Sequence, residues 1–284
     1  MQIRIGSHPS NLSLFILRHR GVIERATAQQ NWSVNWIDYT QGARSGDWLA
    51  SNALDVVGTG STPPINAQAE GLGVGYLASS PSRDASCALL THQSRELRSL
   101  KGARLSAMIG SFTDHFLAQL LRKQQLRRRD VQLVDIQGEA ALHALISGEI
   151  DGWLAIDPWL TRAQQNPEIV TLARVGDEII NRSLFWTRAA WSERHPQAAA
   201  WVVEQLQLND AWIASHIAQA AQLLSTHLTS SITHNEWETT LRARPWGITP
   251  ANPGLIAEQQ QQADDLFAVG FIPAAVNLSH RRTA

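Results

Sequence analysis

The chain is expected to fold as an α/β protein of two lobes, each an open, mostly parallel sheet flanked by helices, with a helical C-terminal region packed back on the first lobe. Three observations predict this. Short apolar runs alternate with helical stretches from the N-terminus onward. The alternation starts afresh after Arg83, and beyond Trp191 strand-like runs give way to segments of helical length. With 284 residues, 44% of them hydrophobic, the chain can bury cores for two ordinary domains.

In order, the first half reads as a strand at 3–6, a helix to about Arg20, a strand at 34–39, a short helix near Trp48, a strand at 54–58, a helix from Pro63 and a strand at 74–79. Cys87 to Leu90 then reads as a strand. Lys101-Gly102 leads into a strand at 104–108, followed by a helix at 113–123, a strand at 131–136, a helix at 139–147 and a strand at 152–156. This rhythm calls for helical crossovers on both sheet faces. The tail carries a helix over 196–216, a capping box at Thr233-His234-Asn235-Glu236, and a last helix from Pro253 to Val269 that ends at Gly270. The expected division is a first lobe from 1–83, a second from 84–187, and a return to the first lobe over 188–284. The chain would cross between lobes at Ser80-Pro81-Ser82-Arg83 and at Trp186-Thr187-Arg188.

Composition narrows the function. A formal net charge of −1 argues against a nucleic-acid surface, and the basic run Arg127-Arg128-Arg129 reads as a solvated helix end. The single cysteine, Cys87, precludes an intrachain disulfide or a multi-cysteine metal site and reads as a buried structural thiol. No run approaches the roughly 20 apolar residues of a membrane span. The apolar stretch 12–17 has neither a basic leader nor a small-residue cleavage site, so no export signal is read here.

Catalytic signatures are missing: there is no G-x-S-x-G elbow, H-E-x-x-H or Walker A sequence, and Gly71-Leu72-Gly73-Val74-Gly75 precedes a strand rather than following one. No cofactor and no metal is expected. The candidate residues sit instead where strands end, which is where open α/β sheets bind ligands. One such loop holds His8 and Asn11, and another holds Asp157 and Trp159. The most informative, Thr59-Gly60-Ser61-Thr62, runs from an apolar strand into a helix with proline at its start, so that backbone N–H groups, hydroxyls and a helix dipole converge as an anion socket. A second turn of the same kind lies at Gly110-Ser111-Phe112-Thr113-Asp114-His115, and two sockets on separate lobes would clamp a small oxyanion. For Ser61, Thr62 and Asp157 simple helix capping is the competing reading.

The strings LDVVGTGSTPPINAQA (54–69), SGEIDGWLAIDPW (147–159) and RPWG (244–247) resemble the aliphatic-sulfonate, taurine and nitrate group of ABC-transporter substrate-binding proteins, over almost the whole chain. The resemblance implies a periplasmic-binding-protein fold of type II that closes by a hinge and delivers its ligand to a membrane permease. It implies that Thr59 to Thr62, with Gly110, Ser111 and Thr113, hold the oxyanion of a small organosulfonate, an alkanesulfonate or taurine-like compound ahead of nitrate. A sulfonate is ionised at ordinary pH and offers three acceptor oxygens, so neutral donors could bind it. Phe112, Trp159 and Trp246 would meet the organic part, with Gly42, Ser80 and His115 nearby. The same resemblance implies a periplasmic location and a monomer, with no nucleic-acid partner.

Two departures stand out. The Gly110 turn carries a bulky Phe112 and an Asp114 that opposes an anion, and Gly42-Ala43-Arg44-Ser45 replaces a Gly-Pro turn and brings Arg44 to the cleft rim. Enzymes also use this fold. The nucleophilic cysteine of a sulfinate desulfinase is replaced here by His8, and the cysteine-rich motif of the pyrimidine synthases is missing. A cytoplasmic enzyme or ligand sensor on the same fold remains the alternative.

Overall fold

The computed structural model describes residues 1–27, 32–95 and 97–278. The chain begins with β1 (Gln2–Ser7), α1 (Leu12–His19), α2 (Ile23–Thr27), β2 (Ser33–Asp38), α3 (Ser45–Ala50), β3 (Val56–Thr59), α4 (Thr62–Ala69) and β4 (Val74–Ser79). It continues through β5 (Cys87–His92), β6 (Arg104–Ser106), α5 (Phe112–Lys123), β7 (Gln132–Val134), α6 (Gly138–Ser147), β8 (Gly152–Ile156), α7 (Trp159–Ala163) and β9 (Ile169–Arg174). The last part is β10 (Leu184–Arg188), α8 (Ala189–Arg194), α9 (Pro196–Ser215), α10 (Ile217–His227), α11 (His234–Ala243), β11 (Thr249–Pro250) and α12 (Pro253–Val269).

Two sheets result, in the orders β11-β4-β10-β3-β1-β2 and β7-β6-β8-β5-β9. Parallel ladders join β1 to β2 and β3, and β6 to β7 and β8. The strands next to the crossings run the other way: β10 lies antiparallel between β3 and β4, and β5 lies antiparallel between β8 and β9. A chain that leaves one sheet and enters its neighbour directly, without a helical crossover, arrives reversed, which makes each sheet mixed.

The first passage is at Ser80 to Arg83. Residues 186–188, where the sequence suggests the second, instead lie inside β10, and Trp186 is fully buried with its Nε1 donating to Thr59 Oγ1 at 2.9 Å. The return passes through Asn181 to Ser183, tied to the outgoing strand by the Ser80 and Arg83 amides, which donate to the Ser183 and Asn181 carbonyls at 2.9 and 2.8 Å. The Ser80 hydroxyl accepts from the Ser183 amide at 2.9 Å, so it links the two crossings.

The helical tail packs in three ways. Val202 and Leu206 of α9 join Ile3, Ile5 and Leu77 under the first sheet. Helices α10 and α11 cover α1, with Ala221, Leu224, Trp237 and Leu241 meeting Leu12 and Ile16. Helix α12 starts on the first lobe through Leu255, then continues onto the second, where Ala263, Leu266 and Val269 pack with Phe116 and Leu117 of α5. It therefore straps both sheets together. Its start is defined by Asn252, whose side chain accepts from the Leu255 amide, and its end by Gly270 at φ 86°, a conformation that costs glycine nothing. No helix among the described residues is long and apolar enough to cross a membrane.

Candidate functional site

The loops that follow β1, β3, β6 and β8 all open into one cavity of about 970 Å³ between the two sheets. Of the residues singled out by sequence, the cavity gathers His8, Gly42, Thr59, Gly60, Ser111, Phe112, Asp157 and Trp159. It does not take in Asn11, Ser61, Thr62, Ser80, Gly110, Thr113, His115 or Trp246.

The reason is local hydrogen bonding. Ser61 and Thr62 accept from the Gln262 amide of α12 at 2.8 and 3.1 Å, so both hydroxyls serve the strap. Thr59 Oγ1 donates to the Gly60 carbonyl at 2.7 Å besides accepting from Trp186. In the second turn, Gly110 N–H donates to Asp114 Oδ2 at 2.8 Å, the Ser111 hydroxyl accepts from the Thr113 amide, and Thr113 Oγ1 donates to the Met108 carbonyl at 2.9 Å. Burial pushes the Asp114 carboxyl up to about 7. In both helix starts, side-chain oxygens thus have partners within the fold. Asn11 caps α1 through the Leu14 amide, His115 Nε2 lies 3.2 Å from Asp265 between α5 and α12, and the Trp246 indole donates to the Leu241 carbonyl at 2.9 Å. Arg44 turns to Asp47 and is exposed.

Of the cavity residues, His8 is buried, and burial pulls its imidazole down to about 4. Its Nε2 lies 2.7 Å from the Gly58 carbonyl, an acceptor, so the neutral ring carries its proton there and has none for an anion. Gly42 packs against this ring; a Cβ at that position would lie 2.7 Å from His8 Cε1. Asp157 caps α7, accepting from the Thr161 amide and hydroxyl at 3.1 and 2.8 Å, and burial raises its carboxyl. Phe112 is almost wholly buried beside Gly60, and Trp159 packs on the second lobe's cluster and on the α1, α10 and α11 cluster at once.

Two arginines, Arg83 and Arg244, are among the other residues that line this cavity. Arg83 is 7% exposed; one terminal nitrogen reaches Asn181 Oδ1 at 3.3 Å, and its Nε has no hydrogen-bond partner. Burial first, and then the neighbouring Arg244 guanidinium, push Arg83 well below its ordinary value. Burial pulls Arg244 down to about 10, opposed by Asp210 and Asp157, and its guanidinium lies over the Trp246 ring at 5.4 Å. A guanidinium keeps its charge near neutral pH. Two such cations beside one cavity, one of them without a carboxylate acting on it, therefore form a site that an anion relieves. Both lie in segments that the sequence singles out, Arg83 at the end of the first crossing segment and Arg244 at the start of the RPWG string, but nothing there marks either as a buried cation. No group of three or more His, Cys, Asp or Glu side chains suited to a metal ion occurs among the described residues.

A family model described as NMT1/THI5 like matches residues 28–215, about two thirds of the chain. The chain belongs to the NMT1/THI5-like family. Across 98% of its length it is 23% identical to an aliphatic sulfonates-binding protein of Escherichia coli strain K12, covering 88% of that protein. Among solved structures it superposes on the periplasmic aliphatic sulphonate binding protein SsuA from Escherichia coli with a TM-score of 0.85 at 23% identity, covering 100% of this chain and 92% of that one. The alkanesulfonate-binding protein SsuA from Xanthomonas axonopodis pv. citri bound to MOPS gives a TM-score of 0.84 at 24% identity, covering 98% and 96%. The architecture of this NMT1/THI5-like protein is therefore the periplasmic-binding-protein fold.

Proposed function

We propose that this protein is the solute-binding component of an ABC importer, capturing an organosulfonate between its lobes and delivering it unchanged to a membrane permease. The observation that carries the reading is the pair Arg83 and Arg244 on one wall of the interlobe cavity. A sulfonate has three acceptor oxygens in the geometry a guanidinium fork matches, and its charge persists at any ordinary pH. Ser183 also lines the cavity and carries a hydroxyl donor, whereas the Ser86 hydroxyl donates to the Arg83 carbonyl at 2.8 Å. The reading assigns Trp159 and Phe112 to the organic part and makes the passages at 80–83 and 181–183 the hinge about which two lobes close. It is supported by the relatives named above, which bind sulfonates, and it carries with it a periplasmic place of work and a monomeric protein.

A thermal-shift screen against alkane- and arylsulfonates, a sulfate ester, nitrate and pyrimidines tests this. A ligand at a hundred times its Kd stabilises the native state by about 2.7 kcal/mol. In a chain of this size that corresponds to a rise in Tm of roughly 5 °C or more. Stabilisation by sulfonates, with the compound recovered intact, is the expected outcome. Stabilisation by nitrate or a pyrimidine alone, or turnover of the added compound, would replace the proposal by one of those readings.

A further inference from the structure

The cavity is far larger than a short alkanesulfonate needs, although the lobes already touch on both of its flanks. On one flank Arg162 of α7 forms a two-pronged ion pair with Glu236 of α11, its Nε and one terminal nitrogen each 2.7 Å from a carboxylate oxygen, and also donates to the Ser231 carbonyl at 2.8 Å. On the other, the backbone of Gly60 approaches Phe112, and Gly110 approaches Ala43 so closely that an added Cβ would lie 3.0 Å from the alanine methyl. Contacts between the two sheets thus border the space of about 970 Å³ on two sides. A two-carbon sulfonate displaces only roughly four water molecules at about 30 Å³ each. Drug-sized ligands fill pockets of about 300–1,000 Å³.

The rest of the lining includes aromatic rings as well as polar side chains such as Asp38, Glu139 and Ser230. Phe15 and His19 lie with ring centroids 4.4 Å apart, and His19 stacks on His227 at 4.0 Å, all three facing the cavity. Trp159 stands in the cavity wall with its indole against Gly138, where a Cβ would lie 3.1 Å away, and with the Arg162 guanidinium 4.8 Å from its ring. Aromatic rings held in this way favour offset or edge-on contact with another ring over contact with a flexible chain of equal carbon count.

We infer that the ligand is a bulky, ring-bearing sulfonate or sulfate ester, its anionic end on Arg83 and Arg244 and its ring in the pocket walled by Trp159 and the Phe15–His19–His227 stack. This rests on the proposed function and narrows its substrate class.

Isothermal titration of the full chain with ethanesulfonate, hexanesulfonate, benzenesulfonate and 2-naphthalenesulfonate tests it. The expected result is at least tenfold tighter binding of benzenesulfonate than of either alkanesulfonate, and tighter binding still of the naphthalene compound. In Trp159→Ala the aryl advantage should fall to about threefold or less; Trp159→Phe, which keeps a ring in the wall, should retain most of it. Ethanesulfonate or hexanesulfonate binding as tightly as benzenesulfonate would overturn the inference and leave the importer reading standing. Failure of every sulfonate to bind would overturn both.

Discussion

Ser61 lies outside the cavity lining, and its oxygen accepts from Gln262, 201 residues further along the chain. Ser61→Ala should therefore lower stability by about 1 kcal/mol, the usual worth of such a bond, and leave sulfonate affinity unchanged, as unfolding curves and titration of the same variant would show. Arg83→Ala should do the reverse to affinity. Hydrogen bonds to charged groups are worth about 1.5–3 kcal/mol, so sulfonate binding should weaken at least tenfold. The contrast also marks how much of the site could be read from the sequence. Turn chemistry is local, so the loops at 8–11, 59–62, 110–113 and 157–159 could be found from their glycines, prolines and hydroxyls, and they do converge on one space. Which groups in those loops face that space depends on partners supplied from far away, such as Gln262 for Ser61. A lone arginine such as Arg83 carries no periodicity or spacing that separates a buried cation from a surface one.

At the scale of elements, helix ends were the most legible feature. The capping box at Thr233 and Glu236 and the Pro253 to Gly270 helix stand where residue chemistry puts them, because a cap needs only its own few residues. Strand β9 and the antiparallel β10 were not legible, since the direction of a strand depends on where the chain has come from. Nor was the passage of α12 onto the second lobe, which is decided by packing of Leu266 and Val269 against α5. Glu236 has two tasks: it completes the cap of α11 and it holds Arg162 of the opposite lobe. The Arg162 guanidinium, followed by the Thr233 donors, holds its carboxyl down to about 2. A carboxylate whose value is lower in the folded chain than in the unfolded one stabilises above its ordinary value of about 4.3, and that contribution fades as pH falls toward 2. Urea unfolding of the protein and of Glu236→Gln should thus differ at pH 7 by an amount that shrinks between pH 4.5 and 3. A difference independent of pH would mean that the ion pair contributes nothing to stability.

At the scale of the whole molecule, two sheets are joined by two short passages near residues 80–83 and 181–183, strapped by α12 and bridged by Arg162 and Glu236. The cavity between them has cations on one wall and aromatic rings on another. That arrangement suits an amphipathic anion, held by charge at one end and by ring contacts at the other, and it follows from strand ends that all point into the interlobe space. Location of a bound sulfonate by anomalous diffraction from its sulfur, with benzenesulfonate soaked or co-crystallised, tests the central claim most directly. The expected result is a single sulfur peak in the interlobe cavity, with sulfonate oxygens about 2.7–2.9 Å from the Arg83 and Arg244 guanidinium nitrogens. A peak at the Thr59 to Thr62 turn or the Ser111 turn, away from both arginines, would contradict it.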